Sequence, residues 1–198
     1  PTLGIVQAGT GNAIARELGA PDLDAALHRI ASGASRPLDV ARLDLDGRVE
    51  HAINIIGWDA FARINRRAES LRFLGGRRYV LAAAAELLRP GLRKHGARIA
   101  GHHAERDRYV LGAACVTRYT GKGMLIAPKA VLDDGYLDLV LVRQAPRVML
   151  AGVLRGLQTG RHLAASCVDY RRVDELDLSF ATPADIVIDG ELTQARNV

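Results

Sequence analysis

Few aromatic residues, few lysines and two cysteines mark this sequence, and no apolar run is long enough to span a bilayer. Aromatics are 5% of the 198 residues and are not interleaved with the basic ones, so no stacking platform for nucleic acid is visible. Cys115 and Cys167 both lie in apolar, strand-like surroundings. They read as reduced core residues rather than a disulfide, which fits a cytoplasmic protein. No Cys/His cluster has zinc spacing, and the pair His102-His103 falls in a polar turn between Gly101 and Asp107. No secretory leader pattern is present, although a missing N-terminus would hide one. Lysine occurs only at 94, 122 and 129, so arginine carries most of the net charge of +5. The excess concentrates in Arg63, Arg66, Arg67, Arg72, Arg77, Arg78, Arg89, Arg93, Lys94 and Arg98, against Glu69 and Glu86. Such density suits either anionic lipid head groups or a solvated helix face.

What is there is a large core, with 48% hydrophobic residues, and a glycine-rich start. Leu3 to Val6 read as the end of a buried strand. Gly9-Thr10-Gly11 makes a tight turn, and Asn12 opens a helix through Ala13, Ile14, Ala15 and Leu18 that Gly19-Ala20-Pro21 ends. Backbone N–H groups at such a turn suit a phosphate, with the Thr10 hydroxyl on the same side. The plain alternative is a strand-to-helix turn with no ligand.

Further along, Asp22 reads as the N-cap of a second helix with Leu23, Ala26, Leu27 and Ile30 on one face. Ser32 to Pro37 is the best boundary, which divides the chain into 1–35 and 36–198. Period-two patterning follows: a strand through Leu43 and Leu45, an Asp46-Gly47 hairpin turn, and a return from Val49 to Ile56. Helices are expected from Asp59 to Phe73 and, nearly uncharged and so buried, from Tyr79 to Leu88, with breaks at Gly75-Gly76 and Pro90-Gly91. Strands are expected at 97–100, 109–117, 124–126 and 136–142, a helix opened by Pro146, then strands at 164–170, 176–180 and 185–188. The expected class is α+β: the remnant of an α/β lobe followed by a mainly antiparallel, β-sandwich-like domain with inserted helices.

Four motifs in register resemble the diacylglycerol kinase-type lipid kinases, which include bacterial lipid kinases, sphingosine kinases and ceramide kinase-like proteins. They are Gly9-Thr10-Gly11-Asn12 with Ala-Ile-Ala-Arg after it, Ile53-Asn54-Ile55-Ile56-Gly57-Trp58-Asp59-Ala60, Thr120-Gly121-Lys122-Gly123-Met124 with residues 127–138, and Asp189-Gly190-Glu191. The family places a Gly-Gly-Asp-Gly-Thr motif upstream of the first. This chain starts at Pro1 and stops soon after Glu191, so the resemblance implies the tail of a nucleotide-binding lobe plus most of the second lobe. By itself such a piece is expected to be inactive and to bind ATP weakly.

The resemblance implies transfer of the ATP γ-phosphate to a lipid hydroxyl. It carries phosphate contact onto Gly9, Thr10, Gly11 and Asn12, most directly Thr10. It makes Glu191 the proton acceptor, where the tripeptide alone is a hairpin tip. It places a structural Mg²⁺ at the 133–135 turn, on the Asp134 side chain and the carbonyls of Val131 and Tyr136, where the residues alone give a plain β-turn. Val116 stands where many bacterial members have Asn, and Gly121-Lys122-Gly123 and the run Ala68 to Gly75 with Tyr79 are more similar to the ceramide and sphingosine kinase-like branch, which leaves the acceptor lipid open. A NAD kinase-like enzyme with a soluble acceptor and a non-catalytic lipid-binding module are the alternatives. Expected partners are ATP, a membrane lipid and an anionic membrane surface at the inner face, with the oligomeric state, homodimer included, left open.

Overall fold

Alternation along the strands gives one sheet two buried faces. In the computed structural model, which describes residues 2–8, 11–20, 22–88, 98–100, 109–121 and 123–198, the chain begins with two helices, α1 (Ala13–Glu17) and α2 (Leu23–Ser32). There follow β1 (Ala41–Leu45), β2 (Arg48–Ala52), β3 (Ile55–Asp59), α3 (Ala60–Ser70), a 3₁₀ segment over Arg72–Arg77, and α4 (Arg78–Leu88). Then come β4 (Arg98–Ala100), β5 (Tyr109–Cys115), β6 (Tyr119–Thr120), β7 (Met124–Leu125), β8 (Leu137–Arg143) and α5 (Arg147–Gly156). A 3₁₀ turn over Arg161–Ala164 leads to β9 (Val168–Val173), β10 (Asp177–Ile188) and β11 (Glu191–Asn197).

The main sheet is antiparallel in the order β11-β10-β3-β5-β8-β9, with β4 pairing one end of β10. Ile56 and Trp58 of β3, Ala114 of β5, Leu139 and Leu141 of β8 and Ile186 of β10 face one side. The β1–β2 hairpin covers that side with Leu43, Leu45 and Ala52. Trp58, 1% exposed, lies against Gly112, where any side chain would collide with the indole. Ile55, Ala113, Cys115 and Val140 face the other side, under Phe61 of α3, Leu157 and the 126–130 loop. The layers are hairpin, sheet and helices, an α+β fold.

Several expectations need correction. Residues 3–6 form no strand, and Leu3 is 72% exposed. A strand needs a neighbour to pair with, and none of the described residues supplies one. The apolar face expected of α2 is buried only at Ala26, while Leu23, Leu27 and Ile30 are half-exposed. The expected return from 49 to 56 is two strands, because the N–H groups of Ile53, Asn54 and Ile55 go to the Asp189 carboxylate. α4 is not wholly buried: Val80 and Leu81 are exposed opposite Ala82 and Ala83. The strand expected at 164–170 starts at Val168, after a 3₁₀ turn in which buried His162 bonds the Ile126 carbonyl at 2.9 Å. Both cysteines are buried and free. No helix among the described residues is long and apolar enough to cross a membrane.

Candidate active-site cleft

Two Asp-Gly hairpin turns result from the strand pattern, and one of them opens onto a cleft. Asp189 (φ 51°) and Gly190 (φ 104°) turn β10 into β11. The Asp189 carboxylate accepts from the backbone N–H of Ile53 at 2.8 Å and of Asn54 and Ile55 at 2.9 Å each. Its own N–H donates to the Ile55 carbonyl at 2.9 Å. Asn65 of α3, 6% exposed, donates from Nδ2 to the Gly190 carbonyl at 3.0 Å. Glu191 follows, exposed, as the first residue of β11.

The cleft holds about 310 Å³ between this turn and the start of the chain. Gly11, Asn12, Asn65, Gly121, Asp189 and Gly190 are among its lining residues. Gly11 faces Gly121 backbone to backbone: a Cβ at Gly11 would lie 3.3 Å from the Gly121 oxygen. Asn12 opens α1 with a left-handed backbone (φ 48°), and its side chain donates to Gln7 Oε1 at 3.0 Å rather than capping the helix. Buried Glu17 secures α1 to the strand loop, accepting from Arg118 Nε at 2.9 Å and Arg118 N at 3.2 Å. Gly9, Thr10, Lys122, the pair His102-His103, Pro21, the break at Pro90-Gly91 and the bases at 89, 93 and 94 lie outside the described residues.

A second, apolar cavity of about 110 Å³ adjoins the cleft. Phe61, Ile64, Tyr79, Thr120 and Met124 line both spaces, and Leu150, Val153 and Leu157 close the far side of the cavity. The cleft, in which Asn12, Asn54, Asn65 and Asp189 sit among apolar side chains, therefore passes into an apolar recess along α3.

Val131, Asp134 and Tyr136 do not line the cleft. Asp134 Oδ1 accepts from the Tyr136 N–H at 3.1 Å, and Oδ2 forms an ion pair with Arg172, which stacks on the Tyr136 ring at 4.7 Å. Asp39 holds the same turn, with its N–H on the Leu132 carbonyl and its Oδ2 accepting from the Gly135 N–H, both at 2.7 Å. A cation on Asp134 has to displace the Arg172 guanidinium. No cluster of three or more Asp, Glu, His or Cys among the described residues could hold a metal.

Asp59 is a residue that sequence reasoning left without a role of its own. It ends β3 with φ 57° and ψ −123°, a conformation that favours glycine, and is 6% exposed. Its Oδ2 has no hydrogen-bond partner among the described residues. Burial pushes its carboxyl up to about 7, opposed by the Arg63 charge. Arg63 bonds Glu86 at 2.6 Å, Arg66 pairs with Asp185, and Arg72 and Arg78 pair with Glu69. Much of the expected basic excess is thus used inside the fold.

The fold and cleft define a β-rich lobe set against α1 and the residues at its start, Gly11 and Asn12. Residues 53–197 match the YegS C-terminal NAD kinase beta sandwich-like domain, and residues 1–43 match the Diacylglycerol kinase catalytic domain. The chain belongs to the diacylglycerol kinase-type lipid kinase family. It is 34% identical over 176 residues to a Diacylglycerol kinase of Mycobacterium tuberculosis (strain CDC 1551 / Oshkosh), covering 86% of this chain and 56% of that protein. It is 25% identical over 195 residues to a Diacylglycerol kinase of Bacillus subtilis (strain 168), covering 96% and 63%. A solved chain from Bacillus anthracis str. Sterne superposes with a TM-score of 0.75 at 21% identity, over 100% of this chain and 65% of its own length, a likeness of fold. The chain spans between 56% and 65% of the length of these relatives.

Proposed function

We propose that the intact protein transfers the γ-phosphoryl group of ATP to the hydroxyl of a membrane lipid. The observation that carries this reading is the junction of cleft and cavity. An acceptor with a polar head and a hydrocarbon tail needs both, side by side, and α3 lines both. A soluble acceptor such as NAD has no hydrocarbon tail to place in the apolar recess.

Each residue then has a task. The Gly9 to Asn12 segment, with Thr10, holds phosphate through backbone N–H groups. Glu191, beside the cleft-lining Gly190, takes the proton of the acceptor hydroxyl as its oxygen bonds to the γ-phosphorus and the bond to the bridging oxygen breaks, releasing ADP. Mg²⁺ when bound with the nucleotide neutralises phosphate charge. A separate structural Mg²⁺ would be held by the Asp134 carboxylate and the carbonyls of Val131 and Tyr136 in exchange for Arg172; the donors are all oxygen, as this ion prefers.

Lipid acceptors also require access to a membrane surface. Phe73 is 81% exposed in the 3₁₀ segment after α3, beside Arg72, which is paired with Glu69 but exposed, and near exposed Arg77. An aromatic flanked by cations suits the interface of an anionic membrane at its inner face. Liposome binding is expected at low salt and should weaken as salt rises, because surface charges are screened.

The test is labelled ATP and Mg²⁺ with diacylglycerol, sphingosine, ceramide and NAD as separate acceptors. Label in one or more lipids and none in NAD supports the proposal. Label in NAD alone favours the soluble-acceptor reading, and label in none favours a non-catalytic module.

A further inference from the structure

Glu191 is exposed at the tip of a hairpin, a place where a side chain ordinarily samples many positions. Proton transfer gains little from a group that is not held in geometry. The two residues before Glu191 are both held, by different elements. Asp189 is fixed to the start of β3 by three N–H bonds to its carboxylate. Gly190 is held by the Asn65 amide, which reaches its carbonyl from α3 at 3.0 Å.

α3 is a firm base for that contact. Phe61 lies so close over Gly57 of β3 that no side chain fits there, which fixes the helix along the strand. Arg66, beside Asn65, forms an ion pair with Asp185 of β10 at 2.6 Å. Phe61 and Ile64, on the same helix, line both the cleft and the apolar cavity. One rigid element thus shapes the acceptor space and holds the carbonyl that precedes the base.

Resting on the reading of Glu191 as base, we infer that Asn65 is a positioning residue: its hydrogen bond to the Gly190 carbonyl sets Glu191 in register with the acceptor. Asn65 is buried, so its amide has little choice of partners, and Gly190 at φ 104° has no side chain to hold it otherwise. Because it bears on the carbonyl that precedes Glu191, the contact should act on the rate of the chemical step rather than on substrate affinity.

The experiment compares Asn65→Asp, which keeps the shape and as a carboxylate loses the donor, measured at pH 8 and above, with Asn65→Gln, which keeps the donor. In the 198-residue chain, amide exchange over residues 189–192 should quicken several-fold in Asn65→Asp relative to the β5 amides, and stay near wild type in Asn65→Gln. In the intact enzyme, Asn65→Asp should lower kcat about tenfold, the order expected for one hydrogen bond, with KM for ATP and lipid unchanged. A raised KM with kcat retained overturns the inference in favour of direct substrate contact. Unchanged exchange at 189–192 in Asn65→Asp also overturns it. Equal quickening of exchange across the whole sheet overturns it as well, since that is a general loss of stability. Glu191→Gln measured alongside separates the two levels: normal turnover there removes the base reading, whereas the exchange result judges the tether by itself.

Discussion

The turns at Asp46-Gly47 and Asp189-Gly190 are built alike. Each is a two-residue hairpin with both residues at positive φ, 51° and 90° in one and 51° and 104° in the other. In each the aspartate also binds the backbone of a distant strand. Asp46 accepts from the N–H of Arg196 at 2.8 Å and of Asn197 at 3.0 Å, as Asp189 accepts from residues 53–55. One turn ties the covering hairpin to β11, on the face away from the cleft. The other is part of the cleft wall and leads into Glu191. The tripeptide is therefore a fold device first, and its chemical meaning comes from what it faces. A third aspartate at positive φ, Asp59, completes the comparison: it is buried and one of its oxygens is unpartnered.

The largest expected contrast is in turnover. In the intact enzyme, Glu191→Gln should lower kcat by about 10²–10⁴-fold while melting temperature and ATP affinity hold, since Gln keeps the size but accepts no proton. A matching change after the other turn, Arg48→Gln, should leave kcat unaltered. Steady-state kinetics on both variants would break the comparison if they behaved alike.

Next comes stability at the anchors. Asp189→Ala leaves three N–H groups without their carboxylate and should cost ~2–4 kcal/mol in urea unfolding, because bonds to a charged group are worth about 1.5–3 kcal/mol each and do not add. Asp46→Ala, on the exposed hairpin, should cost less. Equal losses would show that the two turns are equivalent anchors.

Asp59 sharpens the contrast through pH. Its carboxyl is raised from 3.8 to about 7, so between those values the folded state holds a proton that the unfolded state has released. Its contribution to stability must fall as pH rises through that window. Asp59→Asn should be more stable than wild type at pH 8, by an order of a few kcal/mol, and nearly equal at pH 4. A denaturation series from pH 4 to 8 measures it, and parallel curves for the two proteins would rule it out.

The smallest effect belongs to Asp46, whose carboxyl is held below 3.8, chiefly by the Arg196 N–H. That stabilisation is present above the unfolded value and lost as pH falls through the folded one. Wild type and Asp46→Asn should therefore converge in stability only in strong acid.

The turns and caps were legible in the sequence because their causes are local. Asp-Gly announces the hairpins, and Asp22 does cap α2, accepting from Ala25 N at 2.8 Å. The glycine turn and the Asp189-Gly190 hairpin could be named as candidates, and the fold brings Gly11, Asn12 and Gly190 to one cleft. The rest depends on partners far along the chain. Nothing near Ile53 reveals that a carboxylate at 189 ends its strand. Asn65 reads as one more polar residue among the arginines of α3, because its partner is a carbonyl with no sequence signature. Asp59 was visible inside a motif, but its burial follows from packing between β3, β5 and α3.

Trp58 is the only tryptophan in the chain, buried on the hairpin-covered face of the sheet with Gly112 against its ring. The molecule thus carries a single tryptophan reporter, separable from its five tyrosines by excitation wavelength and set on the far side of the sheet from the cleft. Its emission should shift to the red in one step when the β core opens to water, and should ignore ligands that merely enter the cleft or the apolar cavity. A spectral response to nucleotide or lipid would signal that the sheet itself had changed shape.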